Sequence, residues 1–147
     1  LMAKANIYLT FDGNCEQAFN FYRSVFGVDF DGIMRYKDMP DSGFAIPEQL
    51  QEKVMHVGLP VNASTSLYGS DSFSAACAGE PLAVGNNVAI CLNTESEEES
   101  RRLFEALGQG GTVRMPLEPT FWAPLYGVVC DQFGIEWMVN YEAEPTA

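Results

Sequence analysis

A repeat of secondary-structure signals divides the 147-residue chain into two similar halves, and it limits the possible folds more than any other feature. A shift of 81 residues brings a strand end, the buried stripe of a helix and a terminating glycine into register. The matched pairs are Phe11 with Leu92, Tyr22 with Leu103, Phe26 with Leu107 and Gly27 with Gly108. Each half has an apolar face that it cannot cover alone. We therefore expect an α+β fold of two related modules, each ordered strand–helix–strand–strand–strand, around a shared cavity.

The first half begins with a strand and a helix that the residue pattern marks clearly. Residues 6–11 alternate between polar and apolar side chains, which is the period of a strand covered on one side. Asn14 is expected to cap the following helix, and Gln17 lies three residues later, as in a capping box. From Cys15 onwards the apolar residues follow helical spacing until Gly27, which is expected to end the helix.

The remaining elements and the module boundaries follow from the same kinds of signal. A second helix is expected between Ser96 and Gly108, with three glutamates in its first turn, where the helix dipole favours negative charge. The other expected strands cover residues 30–36, 54–61, 65–70, 87–92, 112–117, 126–130 and 135–141. Within a single domain, we place module 1 at about residues 5–70, a Ser/Ala/Gly-rich linker at about 71–85 and module 2 at about 86–142.

Composition and charge exclude several classes of partner. Hydrophobic residues make up 47% of the chain and charged residues 19%, which is typical of a globular domain. The net charge of −12 leaves no basic footprint for nucleic acid or for an anionic membrane surface. No apolar run approaches the roughly 20 residues of a membrane span, and no signal-peptide pattern is visible. The four cysteines are widely separated, as expected of reduced thiols, so we expect a cytoplasmic protein.

Three segments of the sequence resemble one known family. They are residues 8–15 (YLTFDGNC), residues 120–123 (TFWA) and residues 131–140 (DQFGIEWMVN), and the His56 strand and the Ser70-Asp71 pair also fit. In these segments the chain resembles PhnB-like proteins of the glyoxalase/bleomycin-resistance/dioxygenase, or vicinal-oxygen-chelate, superfamily. The resemblance covers nearly the whole chain. It implies two βαβββ modules that form curved mixed sheets around a cavity, usually in a homodimer.

The resemblance also identifies where a metal would bind in related enzymes. Metal-dependent members of the superfamily carry His, Gln or Glu ligands on the first and last strands of both modules. The matching positions in this chain are Asn6, Tyr68, Asn87 and Met138. None of them is a carboxylate or an imidazole, and a divalent metal needs at least two or three such ligands. We therefore expect no metal site of the usual kind and no cofactor.

The same family has carried the label of a demethylubiquinone methyltransferase, which the sequence does not favour. An S-adenosylmethionine methyltransferase of the common kind needs a glycine-rich loop after its first strand and a doubly wound parallel sheet. Here the turn at residues 12–14 (DGN) contains one glycine, and the strands come in antiparallel-like groups. Methyl transfer is therefore not the expected activity.

Two titratable residues are candidates for catalysis. His56 is the only histidine, and it shares a strand face with Gly58, so it can act as a general base or donate a hydrogen bond to a ligand. The alternative is a structural histidine bonded to its neighbours. Glu136 shares its strand face with Met138 and Asn140, and a glutamate beside a cavity can act as a base. Its alternative is a solvated carboxylate at a strand end.

An aromatic stretch is the main candidate for ligand contact. Phe121, Trp122 and Tyr126 lie in or next to a proline-containing loop, and three aromatic rings are too many for a solvated connection. They form either a wall that stacks on a planar ligand or a contact between subunits of a dimer. Four further residues are assigned to ligand binding, although Asp71 is of a type that more often forms turns: Tyr8, Tyr68, Asp71 and Asn140.

These observations lead to three hypotheses for function. The first is a PhnB-like protein that binds a small hydrophobic or aromatic molecule in its cavity without a metal. The second is a metal-dependent lyase, isomerase or dioxygenase of the glyoxalase type, which requires other ligands, such as His56 with Glu136. The third is a protein that sequesters an antibiotic without chemistry, as bleomycin-resistance members do.

Overall fold

The computed structural model describes residues 3–40, 43 and 45–142, and the chain divides into two units at the Ala83–Val84 bond. This division falls inside the segment predicted as a linker. Within the described ranges there are eight β-strands and three α-helices. None of these helices is long and apolar enough to cross a membrane.

The first unit is a four-stranded mixed sheet with one long helix. The sheet order is β1-β4-β3-β2, in which β1 runs parallel to β4 and the other neighbours are antiparallel. A short helix, α2, follows β4 in the segment that was predicted to be a linker, and Ser72 caps it. The elements are β1 (Ile7–Phe11), α1 (Cys15–Phe26), β2 (Gly32–Arg35), β3 (Val54–Pro60), β4 (Ser66–Asp71) and α2 (Phe73–Cys77).

The second unit repeats this arrangement. Its sheet order is β5-β8-β7-β6, and β5 is parallel to β8, so each unit has the predicted order βαβββ. The prediction of two related modules of mixed sheets is therefore confirmed. The elements are β5 (Ile90–Thr94), α3 (Glu97–Gly108), β6 (Thr112–Glu118), β7 (Leu125–Cys130) and β8 (Glu136–Tyr141).

The true offset between the two units is one or two residues larger than the predicted 81. The first residues of the two long helices, α1 and α3, are 82 positions apart, and those of the first strands, β1 and β5, are 83 positions apart. The error arises because the two matched glycines differ in position. Gly27 follows α1 in the left-handed conformation, with φ at 63°, whereas Gly108 is the last residue of α3. The two glycines therefore do not occupy equivalent positions in the two units, and matching them gave an offset that was too small.

Each helix covers one face of its own sheet. In α1 the buried side chains recur every three or four residues, and the ring of Phe19 lies against Gly69 of β4, where a Cβ would collide with it. In the second unit Leu107 of α3 is fully buried. Trp137 of β8 is also fully buried, and its indole N–H donates to Asp131 Oδ2 at 2.8 Å. These apolar contacts stabilise each unit from within.

The start of α1 differs from the sequence prediction. Asn14 is the N-cap residue, but its side chain makes no capping hydrogen bond, so the predicted capping box with Gln17 is wrong. Instead, the carboxylate of Asp71 accepts the N–H groups of Gly13 and Cys15, both at 2.9 Å. A residue 56 or more positions away therefore performs the capping role that local spacing assigned to Asn14.

Candidate functional site

Each sheet has a second face, opposite its long helix, which we call the distal face. In β1, Leu9 and Phe11 are buried on the side of α1, while Tyr8 is 52% exposed. Side chains alternate between the two faces along a strand, so the distal residues can be read from the pairing register. In β8 the buried Trp137 and Val139 likewise alternate with the predicted site residues of that strand. Both distal faces carry aromatic side chains.

Three rings form an aromatic cluster on the distal face of the first unit, which consists of Tyr8, His56 and Tyr68. Tyr8 and Tyr68 are direct neighbours across the parallel β1–β4 pair. The imidazole of His56 lies 5.5 Å from the Tyr68 ring in a stacked arrangement and 6.0 Å from the Tyr8 ring. Gly58, directly opposite Tyr68, leaves room for the carboxylate of Asp31. The structure therefore brings three predicted site residues together.

Asp71, which the sequence assigned to ligand binding, does not belong to this cluster. It is 2% exposed, and its Oδ1 accepts the N–H groups of Gly13 and Cys15. Oδ2 accepts the N–H of Val54 at 3.0 Å, and the backbone oxygen accepts the hydroxyl of Tyr36 at 2.8 Å. Burial, and then the charge of Asp71, raises the pKa of the Tyr36 hydroxyl. The carboxylate is thus engaged by the protein's own backbone.

A polar cavity of about 350 Å³ lies beside Asp71, at the start of α1. Its charged side chains already pair with groups of the first unit. Arg35 forms an ion pair with Glu16, which raises the pKa of the Arg35 guanidinium, and Lys53 Nζ donates to the backbone oxygen of Gly13 at 2.9 Å. This cavity is therefore a junction of internal ion pairs and hydrogen bonds.

The distal face of the second unit carries the aromatic loop cluster, which consists of Phe121, Trp122 and Tyr126. The Trp122 ring lies 5.1 Å from Tyr126 and 4.7 Å from Phe121, both in edge-to-face geometry. Hydrogen bonds between Thr120 and Ala123 close the turn that carries the first two rings. Phe121 is 97% exposed and Trp122 is 53% exposed. These rings present an apolar surface that the described part of the second unit leaves uncovered.

An amide pair lies next to this cluster. Asn140 of β8 is directly opposite Tyr126 of β7 on one side and Asn93 of β5 on the other. Asn140 Nδ2 donates to Asn93 Oδ1 at 3.4 Å. Asn140 Oδ1 is buried and has no hydrogen-bond partner among the described residues. The predicted site residues Tyr126 and Asn140 are thus brought together, and Asn93 joins them.

Glu136 lies on the same distal face but stands apart from other predicted site residues. It is half-buried at the start of β8, directly opposite Cys130, and it belongs to the second unit, whereas His56 belongs to the first. In the described ranges no three side chains of the His, Cys, Asp or Glu type converge on a point that could hold a metal ion.

The register also corrects the positions compared with the superfamily's metal ligands. Asn6 and Asn87 lie before the first strands of their units rather than in them. The adjacent distal pairs on first and last strands are Tyr8 with Tyr68 and Cys91 with Met138. Burial, and then the charge of Glu142, raises the pKa of the Cys91 thiol. Neither of these two pairs contains an imidazole or a carboxylate.

Sequence reasoning missed Asn93 because the predicted strand, residues 87–92, ends before it, and it assigned no role to Cys91, which lies inside that strand. With β5 at Ile90–Thr94, strict alternation puts both side chains on the distal face, since Thr94 and Ile90 are buried under α3. A signal was present, because Ile90, Leu92 and Thr94 alternate with Cys91 and Asn93, as the residues of a half-buried strand do.

The paired βαβββ units define a glyoxalase/bleomycin-resistance type of fold. A glyoxalase/bleomycin resistance protein/dioxygenase family enzyme from Burkholderia phytofirmans superposes with a TM-score of 0.61 at 15% identity, over 93% of this chain and 98% of that one. At this identity the likeness concerns the fold alone. The likeness thus supports the same type of fold for this chain.

Sequence comparison then identifies the family. The family model described as 3-demethylubiquinone-9 3-methyltransferase matches residues 3–140, and the chain belongs to this family, which is PhnB-like. Protein PA1353 from Pseudomonas aeruginosa is 38% identical and covers 96% of this chain and 98% of its own, with a TM-score of 0.83. The Bacillus cereus PhnB protein is 24% identical over 95% of this chain and all of that one, with a TM-score of 0.75.

A curated relative agrees with this assignment. Protein YjdN from Escherichia coli K12 is 28% identical over 141 residues, which cover 95% of this chain and 96% of that protein. The PhnB-like identification from the sequence is therefore confirmed.

Proposed function

We propose that this PhnB-like protein binds a small aromatic or hydrophobic molecule on its distal sheet faces. The observation that carries the proposal is the aromatic cluster of Tyr8, His56 and Tyr68, in which the His56 ring lies 5.5 Å from the Tyr68 ring and 6.0 Å from the Tyr8 ring. Aromatic rings at such separations attract a further ring by about 0.5–1.5 kcal/mol beyond the gain from burying its area. A half-exposed Tyr8 gives a ligand access to the cluster.

The polar atoms of the same cluster favour a ligand with a polar group rather than a pure hydrocarbon. Each tyrosine carries a hydroxyl group, and His56 carries two ring nitrogens. His56 can therefore orient a ligand by a hydrogen bond, or act as a general base if a reaction follows. The aromatic loop cluster supplies a second apolar surface in the other unit. We assign both clusters to ligand binding.

The alternative is a metal-dependent lyase, isomerase or dioxygenase of the glyoxalase type. The donor set does not favour it, because the distal pairs on the first and last strands are two tyrosines and a cysteine with a methionine. A metal would have to be held by other groups, such as His56 or Glu136. Elemental analysis of protein purified without chelator tests this point. Stoichiometric zinc, nickel, manganese or iron would contradict the metal-free proposal.

Methyl transfer, which the family description names, is not proposed. Each described sheet is mixed rather than doubly wound, and the β1–α1 turn contains a single glycine, Gly13. Neither feature is typical of a dinucleotide-like or S-adenosylmethionine pocket. Calorimetry with S-adenosylmethionine is expected to show no binding, and a micromolar dissociation constant would overturn this view.

Assembly and location remain part of the proposal. We infer a cytoplasmic homodimer, in line with the reduced cysteines and with the exposed rings of the aromatic loop cluster, which can also serve as a contact between subunits. Antibiotic sequestration is the variant of the binding hypothesis in which no product forms. Mass spectrometry of a ligand after incubation separates binding from turnover.

A titration with 2-methoxynaphthalene, a two-ring probe without hydrogen-bond donors, tests the proposed binding. We expect the Tyr68→Ala variant to bind the probe about 10-fold more weakly than the wild type, because one stacking partner is lost. Val88→Ser is the matched control, since Val88 is 77% exposed and precedes β5. Equal affinity of the wild type and Tyr68→Ala would remove the aromatic cluster from the site.

A further inference from the structure

The amide of Asn140 is the one side chain in the described ranges with a buried polar atom that lacks a hydrogen-bond partner. Its Nδ2 donates to Asn93, but its Oδ1 accepts nothing from the described residues. More than nine in ten buried polar groups in native proteins are hydrogen-bonded, so each exception calls for a physical reason. One such reason is that the hydrogen-bond partner belongs to a ligand.

The surroundings of Asn140 show which kind of partner would fit. Tyr126 is its direct neighbour across the antiparallel β7–β8 pair, and the Trp122 ring lies 5.1 Å from the Tyr126 ring. A planar ligand that stacks on these rings therefore brings its edge towards the Asn140 amide. A carbonyl oxygen accepts hydrogen bonds and donates none, so the edge of the ligand must carry an N–H or O–H group.

We infer that Asn140 recognises a donor group on an aromatic ligand, which makes the ligand a phenol-like or indole-like molecule rather than a plain hydrocarbon. This inference rests on the proposed binding of an aromatic molecule and adds the chemical class. Neighbouring groups cover Oδ1 in the structure, so the side chains around it must shift to admit a donor, and until then the unpaired acceptor costs free energy. A ligand that inserts beside Tyr126 and donates to Oδ1 removes this cost.

Asn93 is a positioning residue in this arrangement. Its Oδ1 accepts a hydrogen bond from Asn140 Nδ2 at 3.4 Å, which constrains the orientation of the Asn140 amide. Removal of its amide would let the Asn140 side chain rotate, so Asn93→Ala is expected to reduce the preference for a donor without abolishing it.

Two matched probes test the inference by calorimetry: 2-naphthol, which carries a hydroxyl donor, and 2-methoxynaphthalene, in which a methyl group blocks it. We expect the wild type to bind 2-naphthol about 10-fold more tightly, as one hydrogen bond to a desolvated acceptor provides. Asn140→Leu should remove this preference, so that its dissociation constants for the two probes agree within about twofold. Trp122→Ala should weaken both probes to the same degree.

The outcomes separate the inference from the proposal on which it rests. Equal affinity of the wild type for the two probes, or a preference that survives in Asn140→Leu, overturns the inference and leaves aromatic binding intact. Failure of both probes to bind the wild type overturns aromatic binding itself. Thermal melting of Asn140→Leu checks its fold, and Asn140→Ser, which keeps a small polar group, replaces it if it does not fold.

Discussion

The two units share a strand order and a helix position, yet they hold the first turn of the helix in different ways. In the first unit the buried carboxylate of Asp71, at the end of β4, accepts the N–H groups of Gly13 and Cys15 before and at the start of α1. In the second unit Ser96 caps α3 itself, since its Oγ accepts the N–H of Glu99 at 3.1 Å. One anchor is long-range and charged, and the other is local and neutral.

The pairing register explains why the second unit needs a different anchor. Asp71 is the direct neighbour of Phe11 across β1 and β4, while the corresponding pair in the second unit is Thr94 with Tyr141. The polar group has moved to the first strand, where Thr94 Oγ1 lies 2.6 Å from the hydroxyl of Ser100 in α3. The same fold therefore tolerates two solutions, and their stabilities should respond differently to mutation.

The largest expected effect is at Asp71. Asp71→Ala removes the acceptor of three backbone N–H groups, including that of Val54, so we expect the free energy of unfolding to fall by about 3–5 kcal/mol. Urea denaturation measures the change. Asp71→Asn keeps one side-chain oxygen that can accept the N–H groups of Gly13 and Cys15, so its free energy of unfolding should fall by only about 2 kcal/mol. A loss below about 1 kcal/mol in Asp71→Ala would show that this carboxylate does not anchor the unit.

A second effect concerns alkaline stability. Burial, followed by the charges of Asp71 and Glu16, raises the pKa of the fully buried Cys15 thiol. The thiol of the unfolded chain ionises near pH 8.5, so its contribution to stability is complete below that pH and is lost as the pH rises. Between about pH 9 and 10 we expect Cys15→Ala to lower the slope of this loss by up to about 1.4 kcal/mol per pH unit.

Parallel pH dependences of the wild type and Cys15→Ala would contradict this prediction. The comparison cancels groups present in both proteins, such as Tyr36, whose pKa is also raised. The cavity left by the smaller side chain lowers stability at every pH and therefore does not change the slope.

The smallest expected effect is at the local cap of α3. Ser96→Ala should lower the free energy of unfolding by about 1 kcal/mol, because the N–H of Glu99 loses its acceptor. Asn14→Ala is the matched control, because the Asn14 side chain makes no capping bond, and it should cost less than about 0.5 kcal/mol. A larger loss in Asn14→Ala than in Ser96→Ala would reverse the comparison between the two anchors.

The distal faces differ as well, and this difference bears on function. His56 lies among two tyrosine rings in the first unit, whereas Asn140 lies beside Tyr126 and Asn93 in the second. Repetition of the fold has thus retained the apolar packing under the helices but not the chemistry of the opposite faces. The two faces therefore offer a ligand different groups: an imidazole with phenols in one unit and an amide pair in the other.

Local patterns were sufficient to predict most of the fold. Alternation located β1, the spacing of Phe19 and neighbouring apolar residues located α1, and Gly27 marked its end. These signals depend on residues that are close in sequence, because each element must present one apolar face. The same alternation correctly separated Glu136 and Asn140 from the buried Trp137.

The features that were missed depend on contacts between distant residues. Aspartate is a residue type that often forms turns, so sequence reasoning assigned Asp71 no capping role. Only the parallel pairing of β1 with β4 brings its carboxylate to the start of α1. The same holds for Asn93, which becomes a site residue because β5 lies beside β8. Sequence spacing cannot indicate such a pairing, since strand order follows from the packing of the whole unit.

Residue-resolved NMR titration with 2-methoxynaphthalene tests most directly whether the distal faces bind an aromatic molecule. We expect the largest amide shift changes at the distal residues Tyr8, His56, Tyr68 and Tyr126, and no change at Asn20, an exposed residue of α1. Shift changes confined to the helices, or no changes at millimolar probe, would contradict this expectation.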